Sequence, residues 1–426
     1  MKVHIWIPDY ESAMGGIQVF SRFFIRALCD CLPGSEFSVL SKNDNSFPVL
    51  PSPGSAGIPA DEIARDFGNP PAGMPALPGS GAPRMDFRCA GWWPLSLRTP
   101  AFAGQLFIHT LRHRPDLVVT THVNFSPVAS LLKGLAGIPY AVVAHGVDVW
   151  GVRRRWLGQA LRRADRVLAV SQFTRARMLA ELRLDPDAVG VLPNTVDSEH
   201  FRPAPKPRYL LKRFGLKPDQ PVILTVARLA SEERYKGYDQ VLRALPAIKR
   251  LVPKAHYILG GRGADRCRVE GLVRQLKLAD SVTLAGYIPD HELCDFYNLC
   301  DVFAMPSKLE GFGIVFLEAL ACGKPVLAGN KDGSVDALLG GELGVLIDPD
   351  DVPQIAQALS AILLGQHPLP ILKEPERLRE RVIAAYGYER FVQHVAGHLA
   401  QLGFGARGSR GNRPQPWERG HPLPKV

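Results

Sequence analysis

The chain lacks any long apolar run. In its 426 residues no window reaches the ~18 uninterrupted apolar positions of a membrane-spanning helix. The opening "MKVHIWIPDYE" is too short in its apolar run for a secretory signal and reads as a strand. Cysteine is scarce: seven residues, an odd number, scattered and without CxxC spacing. That argues against a disulfide framework or a zinc site and suits a reducing cytosol. Acidic residues fall short of basic ones, 41 against 51, which gives a net charge of +10. Such a balance favours anionic partners: nucleotides, lipid phosphates, a membrane face or nucleic acid. No basic-aromatic repeat or groove-reading motif is present, so nucleic acid is not the expected partner.

What the chain does have is the composition of a soluble globular protein, 46% hydrophobic and 22% charged. Its length exceeds one ordinary core and implies two domains of roughly 200 residues. Strand-length apolar runs recur at 2–7, 36–41, 116–122, 139–145 and 166–171, with helix-length segments between them. A Pro/Gly-rich insert at 51–83 interrupts the rhythm; its composition buries little and predicts a mobile surface loop. The polar, Pro-rich stretch around 194–209 reads as a linker. The rhythm restarts at 221–227, 255–260, 281–286, 301–307 and 325–329. Alternating βα units with all-apolar strands predict parallel sheets covered on both faces. The fold class is therefore α/β, with two doubly wound Rossmann-like domains, 1–193 and 210–403, facing across a cleft. The last helix has the option of packing back on the first domain. Residues 404–426 read as a disordered basic tail.

Ligands of open α/β sheets bind beyond the carboxyl ends of the strands. In the first half these positions hold Gly15 and Gly16, His122, Asn124 and "HGVDVW" (145–150). In the second half they hold Arg228, "GGRG" (260–263), Pro306, Ser307 and Glu310. Arg228 and Lys236 bracket one loop and can put a planar fork and a compact charge near one diphosphate; as solvated surface cations they would do nothing. Gly15 and Gly16 open a helix without forming the GxGxxG fingerprint, so they either admit a phosphate or sugar oxygen or make a tight turn. "GGRG" has the same two readings. His145 stands at a strand end, where it is either structural or turned to the cleft. Asp148 either orients it or caps the next helix.

The stretch "LEGFGIVFLEALACGKPVLAGN" (309–330) keeps two carboxylates, Glu310 and Glu318, around the start of a short apolar helix. A carboxylate accepts from two adjacent hydroxyls, as on ribose or a hexose ring. Two in sequence can read two polyols, one on each side of a diphosphate. Otherwise Glu310 serves the helix dipole and Glu318 is solvated.

Taken together and in order, "GGIQ", "HGVD", "PNTVD", "ARL…YKG", "EGFGIVFLEALACGKPV" and "GVLIDPDD" resemble the family 4 retaining glycosyltransferases of the GT-B fold, over about residues 1–400. "ERYKG" and "NKDGSVDAL" are similar to a bacterial polysaccharide-assembly subgroup. The resemblance implies a diphosphate clamp at Arg228 and Lys236, a ribose carboxylate at Glu318 and a sugar-side carboxylate at Glu310. It also implies a cleft histidine at His145, a glycine loop at Gly16, and donor contacts from Gly311, Phe312 and Gly313. Where many members have Gly-x-Pro-Glu this chain has "DGSVDA" (332–337), so Asp336 either replaces that glutamate or backbone contacts alone serve. The implied reaction moves a hexose from a nucleotide diphosphate sugar to an acceptor hydroxyl, with retained configuration. No cofactor and no metal are expected.

The acceptor is read from the first half. "WGVRRRWLGQALRR" (150–163) carries Arg153, Arg154, Arg155, Arg162 and Arg163 with Trp150 and Trp156. A basic helix with tryptophans suits an anionic membrane surface; as a plain solvated helix face it would have no such role. With Trp92 and Trp93 it points to a polyprenyl-diphosphate-linked acceptor and to peripheral attachment at the inner face of the plasma membrane. A GT-B epimerase or phosphorylase is the enzymatic alternative; a basic nucleic-acid binder is the non-enzymatic one.

Overall fold

The computed structural model describes residues 1–10, 15–45, 84–152 and 154–404. The insert at 51–83, Arg153 and the tail beyond Phe404 lie outside the described residues. The chain divides into two compact units. The first comprises Met1–Ala169, Arg177–Leu192 and the segment from Val392; the second comprises Val170–Ala176 and Pro193–Phe391.

The first unit is built on a seven-stranded sheet. Its strands are β1 (Lys2–Ile7), β2 (Glu36–Ser41), β3 (Arg84–Cys89), β4 (Leu117–Thr120), β5 (Tyr140–Ala144), β6 (Arg166–Ala169) and β7 (Val189–Val191). The order is β3-β2-β1-β4-β5-β6-β7, with every pairing parallel. β1 buries five of six residues and β4 and β5 bury every one. That is why these strands read as unbroken apolar runs. The helix Gly16–Cys31 buries Phe20, Phe24, Ile25 and Leu28 on one face. Each such side chain is worth about 1.5–3 kcal/mol of transfer free energy.

The second unit repeats the plan with six strands. These are β8 (Val222–Val226), β9 (His256–Gly260), β10 (Val282–Gly286), β11 (Val302–Met305), β12 (Val326–Gly329) and β13 (Val345–Ile347). The order is β10-β9-β8-β11-β12-β13, again all parallel. In each sheet the order reverses beside the first strand: between β1 and β4, and between β8 and β11. Crossovers leave the sheet to opposite faces there, which opens a crevice beyond the strand ends.

Three strands have no counterpart among the apolar runs of the sequence: β3, β7 and β13. All three are edge strands. β3 alternates charge with apolar residues, and β7 and β13 are three residues each.

Candidate functional site

The crevice of the second sheet is formed by loops that follow β8, β9, β11 and β12. These loops are held to one another by main chain. Ala227 and Leu229 donate their N–H groups to the carbonyls of Gly260 and Arg262, and Asp265 donates its own to Leu229. A Cβ on Gly261 would stand 1.8 Å from the Ala227 oxygen, and one on Gly263 would stand 2.0 Å from the Leu229 oxygen. "GGRG" is thus neither a free turn nor a bare phosphate cradle. It is the close backbone support of the Arg228 loop.

Arg228 projects from that loop with its side chain 77% exposed and pairs with Glu233, whose side chain is 9% exposed. Lys236 is far less exposed, at 18%, and its Nζ meets Glu310 Oε2, with Glu310 at 16%. Burial opposes the charge on Lys236, but the Glu310 carboxylate outweighs it and the ammonium pKa is raised. The Lys236 and Glu310 loops are further tied by Lys308 N–H donating to the Tyr235 carbonyl at 3.0 Å. Tyr235 sits where the charges of Lys236, Glu233, Glu310 and Arg228 all act on its hydroxyl. The two cations named from the sequence therefore share one locality.

Glu310 and Glu318 are separated by the turn Gly311-Phe312-Gly313. Gly313 adopts φ +89, caps the helix Ile314–Ala321, and leaves no room for a Cβ beside the Phe316 ring. Phe312 is buried against Tyr386, ring centroids 5.3 Å apart. Glu318 is not solvated. It is buried and accepts a 2.6 Å hydrogen bond from the Tyr297 hydroxyl. Burial pushes its pKa up to about 7. The two carboxylates do not touch each other in any hydrogen bond: one faces a cation, the other a phenol.

Asp332, which sequence reasoning passed over in favour of Asp336, organises this turn. It is fully buried and accepts from Ser307 Oγ and from Glu310 N–H, both at 2.7 Å, and from Ser334 N–H at 3.0 Å. Burial raises its pKa despite these donors. The Asp-Gly-Ser run that begins three residues past the end of β12 was the available signal, since Asp favours turns that bond their own backbone two residues on. Asp336 instead accepts from the N–H groups of Gln172 and Phe173, at 3.2 and 3.1 Å. Tyr297 and Glu233 were also missed, and nothing in their local sequence singles them out. Asp332→Ala is expected to destabilise the fold by about 2–4 kcal/mol, since three donors lose a buried acceptor. A urea midpoint unchanged from wild type would show that Asp332 does not hold the turn.

In the first unit, Gly15 caps the helix that Gly16 begins, and Phe20 on that helix meets the His145 ring edge-on at 5.0 Å. His145 follows β5; its Nε2 donates to the Thr121 carbonyl at 2.9 Å. Burial, reinforced by His122, pulls its pKa down to about 3. The ring is thus neutral, with Nδ1 the unprotonated nitrogen. Asp148 does not orient the ring: its carboxylate accepts the His145 backbone N–H at 2.9 Å. Burial pushes Asp148 up to about 7.

Among the described residues no group of His, Cys, Asp or Glu has the geometry to hold a metal ion. No described helix is long and apolar enough to cross a membrane.

Comparison with known proteins places these features in a family. Glycosyl transferases group 1 matches residues 210–384 and Glycosyltransferase Family 4 matches residues 64–200. The chain is 37% identical over 231 residues to the GDP-mannose-dependent alpha-(1-6)-phosphatidylinositol monomannoside mannosyltransferase of Mycolicibacterium smegmatis, covering 51% of this chain and 59% of that one. The match thus spans about six tenths of that relative's length. Among solved structures, sucrose-phosphate synthase from Thermosynechococcus elongatus superposes with a TM-score of 0.72 at 23% identity, over 94% of this chain and 99% of that one. HepE from Anabaena in complex with UDP-glucose superposes with a TM-score of 0.71 at 19% identity, over 94% and 100%. At those identities the likeness is one of fold. The paired matches, the two parallel Rossmann-like sheets and the solved relatives together make the chain a member of the family 4 glycosyltransferases of the GT-B fold.

Proposed function

We propose that the protein transfers a hexose from a nucleotide diphosphate sugar to an acceptor hydroxyl with retention of anomeric configuration. The observation that carries this reading is the little-exposed Lys236–Glu310 pair at the switch point of the second sheet. An ammonium has three donors, so Lys236 keeps protons for a phosphate oxygen while Glu310 holds it in place. Arg228, at the other end of the same loop, adds a fork of donors. These cations stabilise the charge that develops on the diphosphate as its bond to the sugar breaks. The acceptor oxygen forms the new bond on the same face of the sugar, and its proton passes to the departing phosphate. No side chain is assigned as a nucleophile. Glu318 takes the ribose hydroxyls. The neutral His145 offers Nδ1 as an acceptor for a sugar hydroxyl. The relative named as GDP-mannose-dependent and the solved structure holding UDP-glucose support a nucleotide-hexose donor.

Screening nucleotide sugars and free nucleoside diphosphates for protection against thermal unfolding tests this reading. A ligand at 100 times its Kd adds about 2.7 kcal/mol of stability. No protection by any of them would remove the reading. Because two cations already face the diphosphate, activity is expected to persist in chelator. Complete loss in chelator, restored by magnesium or manganese, would reject the metal-free clamp.

The proposed acceptor is lipid-linked, in polysaccharide assembly at a membrane face. The helix Arg155–Arg163 buries Leu157, Ala160 and Leu161 and exposes Arg155, Trp156, Arg162 and Arg163. The Arg154 guanidinium lies 5.7 Å from the Trp156 ring centroid. Such a face binds anionic headgroups at about 1 kcal/mol per basic residue. Replacing Arg154 and Arg155 by Ala is therefore expected to weaken partitioning onto anionic vesicles about 30-fold at low salt. Equal sedimentation of the double variant with vesicles would take this helix out of the account.

A further inference from the structure

The helix Asp290–Leu299 and the helix Ile314–Ala321 meet at a pair of thiols that the transfer reaction does not use. Cys294 Sγ lies 3.9 Å from Cys322 Sγ. Cys294 is partly exposed; Cys322 is buried and caps the second helix. Both are free thiols. Nothing separates the sulfurs, and they need approach by about 1.9 Å to reach the ~2.05 Å of a disulfide bond.

Their placement relative to Glu318 gives the pair its interest. Tyr297 stands three residues after Cys294 on one helix, and Glu318 stands four residues before Cys322 on the other. Residues at those spacings share a helix face. The thiol pair therefore flanks the Tyr297–Glu318 hydrogen bond by one turn on each helix. A bond drawn between the sulfurs shifts the two helices against each other where the phenol meets the carboxylate.

We propose that Cys294 and Cys322 are a reversible redox-modification site, cross-linked by a small-molecule disulfide such as oxidised glutathione, and that the cross-link weakens nucleoside diphosphate binding at Glu318. The second half rests on the donor reading given above; the first does not. The Cys294 sulfur is the accessible one and attacks first. It is also the more acidic, because the hydrogen bond from Cys322 draws its pKa down to about 6 while that of Cys322 rises in turn. The Cys294 thiolate displaces one glutathione thiolate and forms a mixed disulfide. The Cys322 sulfur then displaces the second glutathione, its proton leaving with that thiol. In sum two protein thiols lose two electrons and two protons, and one glutathione disulfide becomes two glutathiones. Burial protects Cys322 from direct attack, so the order of steps is fixed by access.

The test uses the full chain, reduced or treated with oxidised glutathione, then subjected to peptide mapping and titration with free nucleoside diphosphates. A 294–322 linked peptide is expected, together with a loss of affinity of about fivefold or more. Dithiothreitol should reverse both, and Cys294→Ser and Cys322→Ala should each abolish both. Either variant suffices if the other fails to fold. A map that shows only stable mixed disulfides, or linkage through the exposed Cys267, overturns the site. A 294–322 link with unchanged affinity overturns the coupling to Glu318. If the reduced protein binds no nucleoside diphosphate, the donor reading fails, while the map still decides the cross-link.

Discussion

Lys236→Ala is expected to lower kcat/KM by about 100- to 1,000-fold, equivalent to about 2.7–4 kcal/mol of transition-state stabilisation. The effect should be large because Lys236 is little exposed and preorganised by Glu310, so water does not replace it cheaply. The substitution also leaves Glu310 without its cation, which removes two members of the site together. Arg228→Ala should cost less, about tenfold, since an exposed side chain is partly screened by solvent. Steady-state kinetics on folded variants, checked by thermal melting, would decide. Near-normal rates in both would make these residues surface cations and remove the diphosphate clamp.

Glu318→Gln and Glu310→Gln should fail in different ways. Glu318→Gln is expected to weaken binding of the free nucleoside diphosphate by about 1.5–3 kcal/mol, roughly 10- to 150-fold, through loss of charge-assisted acceptance. Glu310→Gln keeps an amide oxygen that accepts from Lys236, so it should weaken that ligand less than Glu318→Gln does and should chiefly lower turnover of the intact donor. The elevated pKa of Glu318 adds a pH signature. In the free protein the group is protonated below about 7 and ionised above it. Ribose hydroxyls donate best to the ionised form, so wild-type affinity should be full above pH 7 and fall as pH drops through it. The Gln variant should lack this component when titrated with the same ligand, which cancels the phosphate's own ionisation. Equal loss of diphosphate affinity in both variants would end the division of labour. A wild-type pH profile identical to that of the Gln variant would show that Glu318 does not meet the ligand.

The interior strands were legible in the sequence because a parallel strand covered on both faces is apolar at most positions, its few buried polar groups, such as Thr225 and His256, being hydrogen-bonded. β4, β5, β8, β9, β11 and β12 all lie inside their sheets and all read as continuous runs. β3, β7 and β13 lie at edges, where one neighbour suffices and three residues can pair. Their composition carries no such demand. β10 is the instructive exception: an edge strand that is partly buried along its whole length and therefore kept its apolar pattern. At the site, Arg228, Lys236, Glu310 and Glu318 were legible because they come after strand ends and bear charge. Glu318's burial was not, because it depends on Tyr297, twenty-one residues away in sequence. Asp332 escaped for a related reason. Its partners Ser307 and Glu310 come from the loop after β11, and only the parallel pairing of β11 with β12 brings those loops together.

The close approach of the loops also bears on how such a protein can change its preference for a donor. Gly237 leaves no room for a Cβ against the Pro306 carbonyl, Gly333 none against Gly311, and Gly261 and Gly263 none against the Arg228 loop. The frame is therefore written in main chain, and point substitution at these positions breaks it rather than tuning it. What remains free to vary is what the frame displays, above all the exposed Leu309, since Lys308 pairs with Asp350 in the loop after β13 and Arg262 lies over the Tyr287 ring in the loop after β10. A library centred on Leu309 is expected to search donor specificity without breaking the main-chain frame.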